Sequence, residues 1–166
     1  MAKEASTGSE QYKKIHDLIK DIHVAMLTTE GSDGKLHSRP MATQEAEFDG
    51  NVWFLSRQNS GKVTDIQHQS QVNLSYSDSK HAFVTLSGMA EIQKDRTKID
   101  ELWNPLYKAW FPGGKEDPEI TVIKVKVEEA EYWEAPPNAI VRNVKILSAA
   151  MTGGNVSVGE HEKVNL

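Results

Sequence analysis

The chain has 166 residues, 38% of them hydrophobic and 26% charged, with a net charge of −5 and no cysteine. That length holds one domain with a proper core, and the acidic balance argues against a nucleic-acid partner, whose phosphates require a basic face. The missing cysteines exclude disulfides, thiolate metal sites and cysteine nucleophiles.

Residues 1–8 are small and polar and are expected to form a disordered lead, with no apolar segment of a secretory signal. Ser9 is an expected N-cap, and Tyr12, Ile15, Leu18, Ile19 and Ile22 recur at helical spacing, so a helix is predicted over about Glu10–Asp21. His23–Thr29 reads as a strand, and Gly31 and Gly34 mark a turn. Lys35–Glu47 reads as a long strand interrupted by Pro40, which suits an edge or a bulge. Asp49-Gly50 is a hairpin signal, with Val52–Ser56 expected to return beside the preceding strand.

A short helix is predicted over Ser60–His68, then a half-buried strand at Gln71–Ser77 and a turn at Asp78-Ser79-Lys80. Ala82–Gln93 is a further long strand, with Gly88 inside it pointing to a bulge or a close backbone approach. Asp95 is expected to cap a helix over about Arg96–Ala109, bent or split at Pro105. After a loop containing Gly113-Gly114, Ile120–Tyr132 alternates as a strand until Ala135-Pro136-Pro137 ends it. A last helix is predicted at Ala139–Met151, stopped by Gly153-Gly154, and the tail 153–166 is expected to be loosely ordered unless a partner holds it. No run reaches the ~18 apolar residues of a membrane span. The predicted architecture is mainly β, an α+β chain built on a six-stranded antiparallel barrel, closed or split, with peripheral helices. Residues 9–152 form its domain.

The chemistry concentrates between His37 and Ile66. Arg39 lies on one strand, while Ser56, Ser60, Gly61 and Lys62 lie where the next strand passes into a helix. Two cations, hydroxyls and the N–H groups of a helix start make a socket for a phosphate. Met41 and Leu55 suit the core and a ligand wall equally. Trp103, Trp110 and Phe111 suit packing or a subunit interface. The six histidines show no metal-ligand spacing, and there is no HExxH, no GxSxG and no dinucleotide-binding glycine pattern. No metal site and no catalytic side chain is assigned.

Several motifs in order carry a resemblance: Ser38-Arg39-Pro40-Met41, Val52-Trp53-Phe54-Leu55-Ser56, Ser60-Gly61-Lys62-Val63, Phe83 to Ala90, Glu101 to Pro105, Trp110 to Gly114 with Asp117-Pro118, and Glu131-Tyr132-Trp133. The chain resembles the pyridoxamine 5′-phosphate oxidase-like, FMN-binding split-barrel proteins, and most of all their general stress protein branch, over about residues 10–135. The absence of cysteine fits a reducing cytoplasm. The resemblance implies a homodimer with FMN in clefts at the subunit interface and a small-molecule redox partner it leaves unnamed. It implies that Arg39, Ser60 and Lys62 hold the phosphate, with Gly61 in the same loop. Pro40, Met41, Ala42, Leu55 and Ser56 would then line the flavin, Trp110 could cover it from the partner subunit, and Trp133 would reach it from later in the chain. Two departures stand out. Gln44 replaces a substrate-holding lysine of the oxidases, and Ala139 and Val141 stand where they carry an Arg-x-His pair. Pyridoxamine phosphate oxidation is therefore not expected. Flavin-dependent redox chemistry, a non-enzymatic flavin reservoir or stress sensor, a dimer that has lost its cofactor, and a haem or deazaflavin ligand all remain open at this stage.

Overall fold

The computed structural model describes residues 8–44, 46–78, 82–134 and 160–166. In chain order these form α1 (Gly8–Ile19), β1 (Val24–Glu30), β2 (Leu36–Ala42), β3 (Asn51–Arg57), α2 (Gly61–His68), β4 (Gln71–Ser77), β5 (Ala82–Gln93), α3 (Arg96–Leu102), a 3₁₀ turn (Pro105–Ala109), β6 (Ile120–Glu134) and β7 (Glu160–Asn165). The expected break at Ala135-Pro136-Pro137, the helix at Ala139–Met151 and its Gly153-Gly154 stop lie outside the described residues, as do Ser79 and Lys80 of the expected turn.

The strands join in the order β2-β1-β4-β5-β6-β3, all antiparallel, with β7 beside the far end of β6. One face carries the core: Ala25, Leu27, Met41, Phe54, Leu74, Val84, Leu86 and Val125 are all buried, and Ile15 of α1 packs onto the same cluster. Met41 of β2 and Phe54 of β3 share that core although their strands stand at opposite ends of the order. The sheet has therefore curled until its two ends face one another, and the result is a split barrel. A second, smaller cluster lies outside β3, where Ile99, Leu102 and Phe111 cover Ile120 and Val122.

Four differences from the sequence reading have physical causes. Val52–Ser56 does not return beside β2. β3 pairs β6 from Asn51↔Lys126 to Arg57↔Ile120 instead, because residues 43–50 form a connection too long for a tight hairpin. β2 ends at Ala42 rather than Glu47, because its only ladder partner among the described residues, β1, begins opposite it at Val24. α1 begins at Gly8 rather than after a Ser9 cap. Finally, the described residues form seven strands rather than six. Part of the tail expected to be loose, Glu160–Asn165, pairs the edge of β6 that β3 leaves open, with Val164 buried and Lys163 and His161 paired to Glu129 and Glu131.

Gly88 acts in both of the ways expected of it. The β5–β6 register shifts between Ser87 and Gly88, and a Cβ on Gly88 would lie 2.0 Å from the Lys126 carbonyl oxygen. Pro105 splits the predicted Arg96–Ala109 helix. Asp95 caps α3 through Lys98 N–H, and the chain restarts at Pro105 as the 3₁₀ turn, capped by Asn104. No helix among the described residues is long and apolar enough to cross a membrane.

Candidate functional site

The split between β2 and β3 opens into a cleft of about 370 Å³. Pro40, Met41 and Ala42 form one lip, and Leu55, Ser56 and Arg57 form the other. Ser60 and Lys62 close one end, and Tyr107 of the 3₁₀ turn, with Trp110 and Phe111 directly after it, completes the lining. The size and the mostly apolar lining with a few convergent polar groups suit a small-molecule site. The outer edges of β2 and β3, which pair with no strand among the described residues, add backbone groups.

The polar end is built at the start of α2. Ser60 occupies the N-cap in extended backbone, but its side chain makes no capping bond. Its hydroxyl lies 3.1 Å from the Ser56 hydroxyl, and Lys62 Nζ donates to Ser56 Oγ at 3.4 Å. The first N–H groups of the helix thus lack the side-chain acceptor that a serine at this place normally supplies. Among the described residues no carboxylate forms an ion pair with Lys62. Burial, and next the charge of Arg39, hold its amine below the ordinary lysine range. Gly61 opens the helix into free space, where an added Cβ would meet nothing within 4 Å. A half-buried cation with no carboxylate partner among the described residues, beside hydroxyls and helix N–H groups, is an arrangement suited to an anion.

Arg39 sits next to this cluster rather than in the cleft wall. Its guanidinium donates to Thr29 Oγ1 at 2.5 Å and to Asp65 Oδ2 at 3.2 Å. Sequence reasoning did not single out Thr29, Asp65, Arg57 or Tyr107. Arg57 donates to the Trp110 carbonyl at 2.9 Å and lies over the Phe111 ring, and so ties β3 to the aromatic cover. Tyr107 accepts a bond from Gln44 Nε2 at 2.8 Å across the cleft. The alternation of β3 offered one usable signal: it places Ser56 on the inner face and Leu55 and Arg57 on the outer, so both sides of the strand end reach the split.

Trp110 is largely exposed at the mouth of the cleft. Trp133 is not in the cleft at all. It lies opposite Phe83 on the outer face of the sheet, stacked flat on His161 at 5.1 Å between ring centres. Ala139 and Val141 lie outside the described residues.

The family description "Pyridoxamine 5′-phosphate oxidase like" matches residues 10–157. The chain belongs to the pyridoxamine 5′-phosphate oxidase-like family. Protein bli-3 of Neurospora crassa is 30% identical over 167 residues, which span 92% of this chain and 80% of that protein. Among solved structures, the general stress FMN/FAD binding protein of Xanthomonas citri is 29% identical, with a TM-score of 0.65 over 76% of this chain and 89% of its own. General Stress Protein 26 of Bacillus anthracis is 26% identical, with a TM-score of 0.66 over 74% and 93%. A Jannaschia structure at 23% identity shares the fold over 95% of this chain and 99% of its own, with a TM-score of 0.70.

Proposed function

We propose that this protein is a flavin-binding member of its family. FMN would lie in the β2–β3 split with its phosphate at the start of α2. The observation that carries this reading is Lys62, a half-buried cation that pairs with no carboxylate among the described residues, beside the Ser56 and Ser60 hydroxyls at the polar end of an apolar cleft. Lys62, Ser60 and the α2 N–H groups would hold the phosphate, with Arg39 adding charge from behind. Met41, Leu55, Pro40 and Ala42 would line the ring, and the open strand edges would meet its polar rim. Trp110 and Tyr107 would exclude water from its outer side. A bound flavin supplies hydride and electron transfer, for which the protein contributes binding, orientation and electrostatics.

The exposed outer face supports a homodimer. Val24 is 53% exposed and Phe83 60%, with Met26 and Trp133 also open, and the ladder register carries these residues from the lip of the cleft across to β6. A second copy seated there would bring its Trp133 toward the cleft of the first.

Saturable quenching of flavin fluorescence by the purified protein tests the reading. Riboflavin serves as the phosphate-free control, with Arg39→Ala and Lys62→Ala alongside. Tight FMN binding that falls toward riboflavin-like binding in both variants supports it, and a protein that ignores both flavins sinks it. A second reading is a flavin reservoir or sensor without turnover; the lining drawn from the described residues is apolar with hydroxyls, an amide and the cations Arg57 and Lys62. Steady turnover of the loaded protein with a nicotinamide donor and an electron acceptor would overturn that second reading.

A further inference from the structure

Beside the Ser56–Ser60–Lys62 cluster lies a further group of polar side chains on β1, β2 and α2. Asp65 follows Lys62 by one turn of α2, so both side chains project from the same side of the helix. Asp65 Oδ2 accepts from the buried Thr29 hydroxyl at 2.7 Å and from Arg39 Nη2 at 3.2 Å, and it lies 3.2 Å from His37 Nδ1. The Thr29 oxygen in turn accepts from Arg39 Nη1. Thr29 thus uses its one proton on Asp65 and a lone pair on Arg39, and the guanidinium is gripped at both of its terminal nitrogens. These bonds engage two of the five N–H donors of an arginine, leaving others for a ligand.

We infer that Asp65 and Thr29 are positioning residues, which hold the Arg39 guanidinium in register with Lys62 to receive the ligand phosphate. The inference rests on the phosphate-site reading of the cleft. Supporting it, the Asp65 carboxyl is held below its ordinary range, first by the Thr29 hydrogen bond and then, against burial, by the bonds from His37 and Arg39, so it is a fixed anion at neutral pH. The influence of Arg39 on the Lys62 amine shows that its charge reaches the socket.

Charge and orientation make opposite predictions here. Taken as a charge alone, Asp65 repels a phosphate, so removing it strengthens binding. If it aims Arg39, removing it weakens binding even though the repulsion is gone. The measured quantity is the ratio of riboflavin to FMN dissociation constants, which isolates the phosphate. Asp65→Asn should lower that ratio several-fold. Thr29→Val, which leaves the carboxylate in place, should do the same. In an Arg39→Ala background nothing remains to aim, and Asp65→Asn should then raise the ratio by relieving repulsion. This sign reversal in a double-mutant cycle is a result that an ion pair merely joining β2 to α2 cannot give. A ratio raised or unchanged by Asp65→Asn alone, in folded protein, overturns the inference, and Thr29→Val decides it in the same way should the Asn variant fail to fold.

A second readout separates this idea from the flavin reading. The Arg39 guanidinium NMR signal is followed in ligand-free protein during an inorganic phosphate titration. The expected signal is slowly exchanging, shifts with phosphate, and loses both properties in Asp65→Asn. If the protein binds no flavin but this pattern holds, the flavin reading fails and the positioning role stands. A signal indifferent to both phosphate and Asp65 overturns the positioning role.

Discussion

Lys62→Met sets ligand-free stability and phosphate affinity against each other. Methionine keeps the apolar stem of the lysine and removes its charge. In the folded chain the Lys62 amine titrates below its ordinary value, because burial and Arg39 both disfavour the cation. The unfolded chain therefore holds that proton more firmly. The cost is fully present at neutral pH, below both values, and is relieved only as pH rises through the folded value toward the unfolded one. Removing the charge should leave the ligand-free melting midpoint at pH 7 equal to that of the unmodified protein or higher. FMN binding should move the other way. A hydrogen bond to a charged group contributes about 1.5–3 kcal/mol, so at about 1.4 kcal/mol per decade FMN affinity should fall roughly 10- to 150-fold. Riboflavin, which lacks the phosphate, should bind much as before. Thermal melts of ligand-free protein and paired FMN and riboflavin titrations provide the assay. A variant that is less stable without ligand would refute the account of Lys62 as a strained cation. Equal losses for both flavins would refute its assignment to the phosphate.

Other consequences are open to direct measurement. Gly88→Ala places a Cβ against the Lys126 carbonyl and the Val127 backbone, which cannot move aside without disturbing the β5–β6 ladder. It should cost at least about 1–3 kcal/mol, read as a lower urea midpoint. Trp110→Ala should weaken FMN and riboflavin alike, by about 2- to 10-fold, from the ~0.5–1.5 kcal/mol of an aromatic contact, leaving their ratio unchanged. Asp65 titrates below its ordinary value of 3.8, so its contribution to stability is present above that pH and is lost as pH falls through the lowered folded value. Asp65→Asn should therefore lower the melting midpoint at pH 7, and the difference should shrink on acidification below 3.8.

Local chemistry in the sequence located most elements. Gln71–Ser77 and Ala82–Gln93 have the expected bounds, since clean alternation between turn residues fixes a strand. Gly88 announced its bulge because only a glycine tolerates that approach of backbone to backbone. The Ser56–Ser60–Lys62 cluster was readable because all three residues lie on one short strand-to-helix passage, where spacing alone brings them together. Thr29 and Asp65 were not readable. They meet Arg39 across 10 and 26 residues of chain, and a threonine on a strand or an aspartate on a helix carries no mark of such a partner. The β7 pairing was hidden for a similar reason: Glu160–Asn165 is polar and short, and only the unused edge of β6 makes a strand of it.

The misplaced hairpin explains where the site comes from. Asp49-Gly50 does turn the chain, with Gly50 at positive φ, but a turn signal specifies a reversal and not a partner. Had Val52–Ser56 paired with β2, the ladder would have closed and used the edges of both strands. Instead β3 takes β6, Met41 and Phe54 join the same core cluster, and among the described residues the two strand edges are left facing across a gap. An open edge exposes unpaired N–H and C=O groups and is a liability on a soluble surface. Here the 3₁₀ segment and its aromatic residues partly cover the gap, and the start of α2 closes one end of it. On the flavin reading, a ligand with a flat ring, a polar rim and a phosphate would satisfy the edges, the apolar lips and Lys62 at once, so the same gap that breaks the barrel would serve as its binding site.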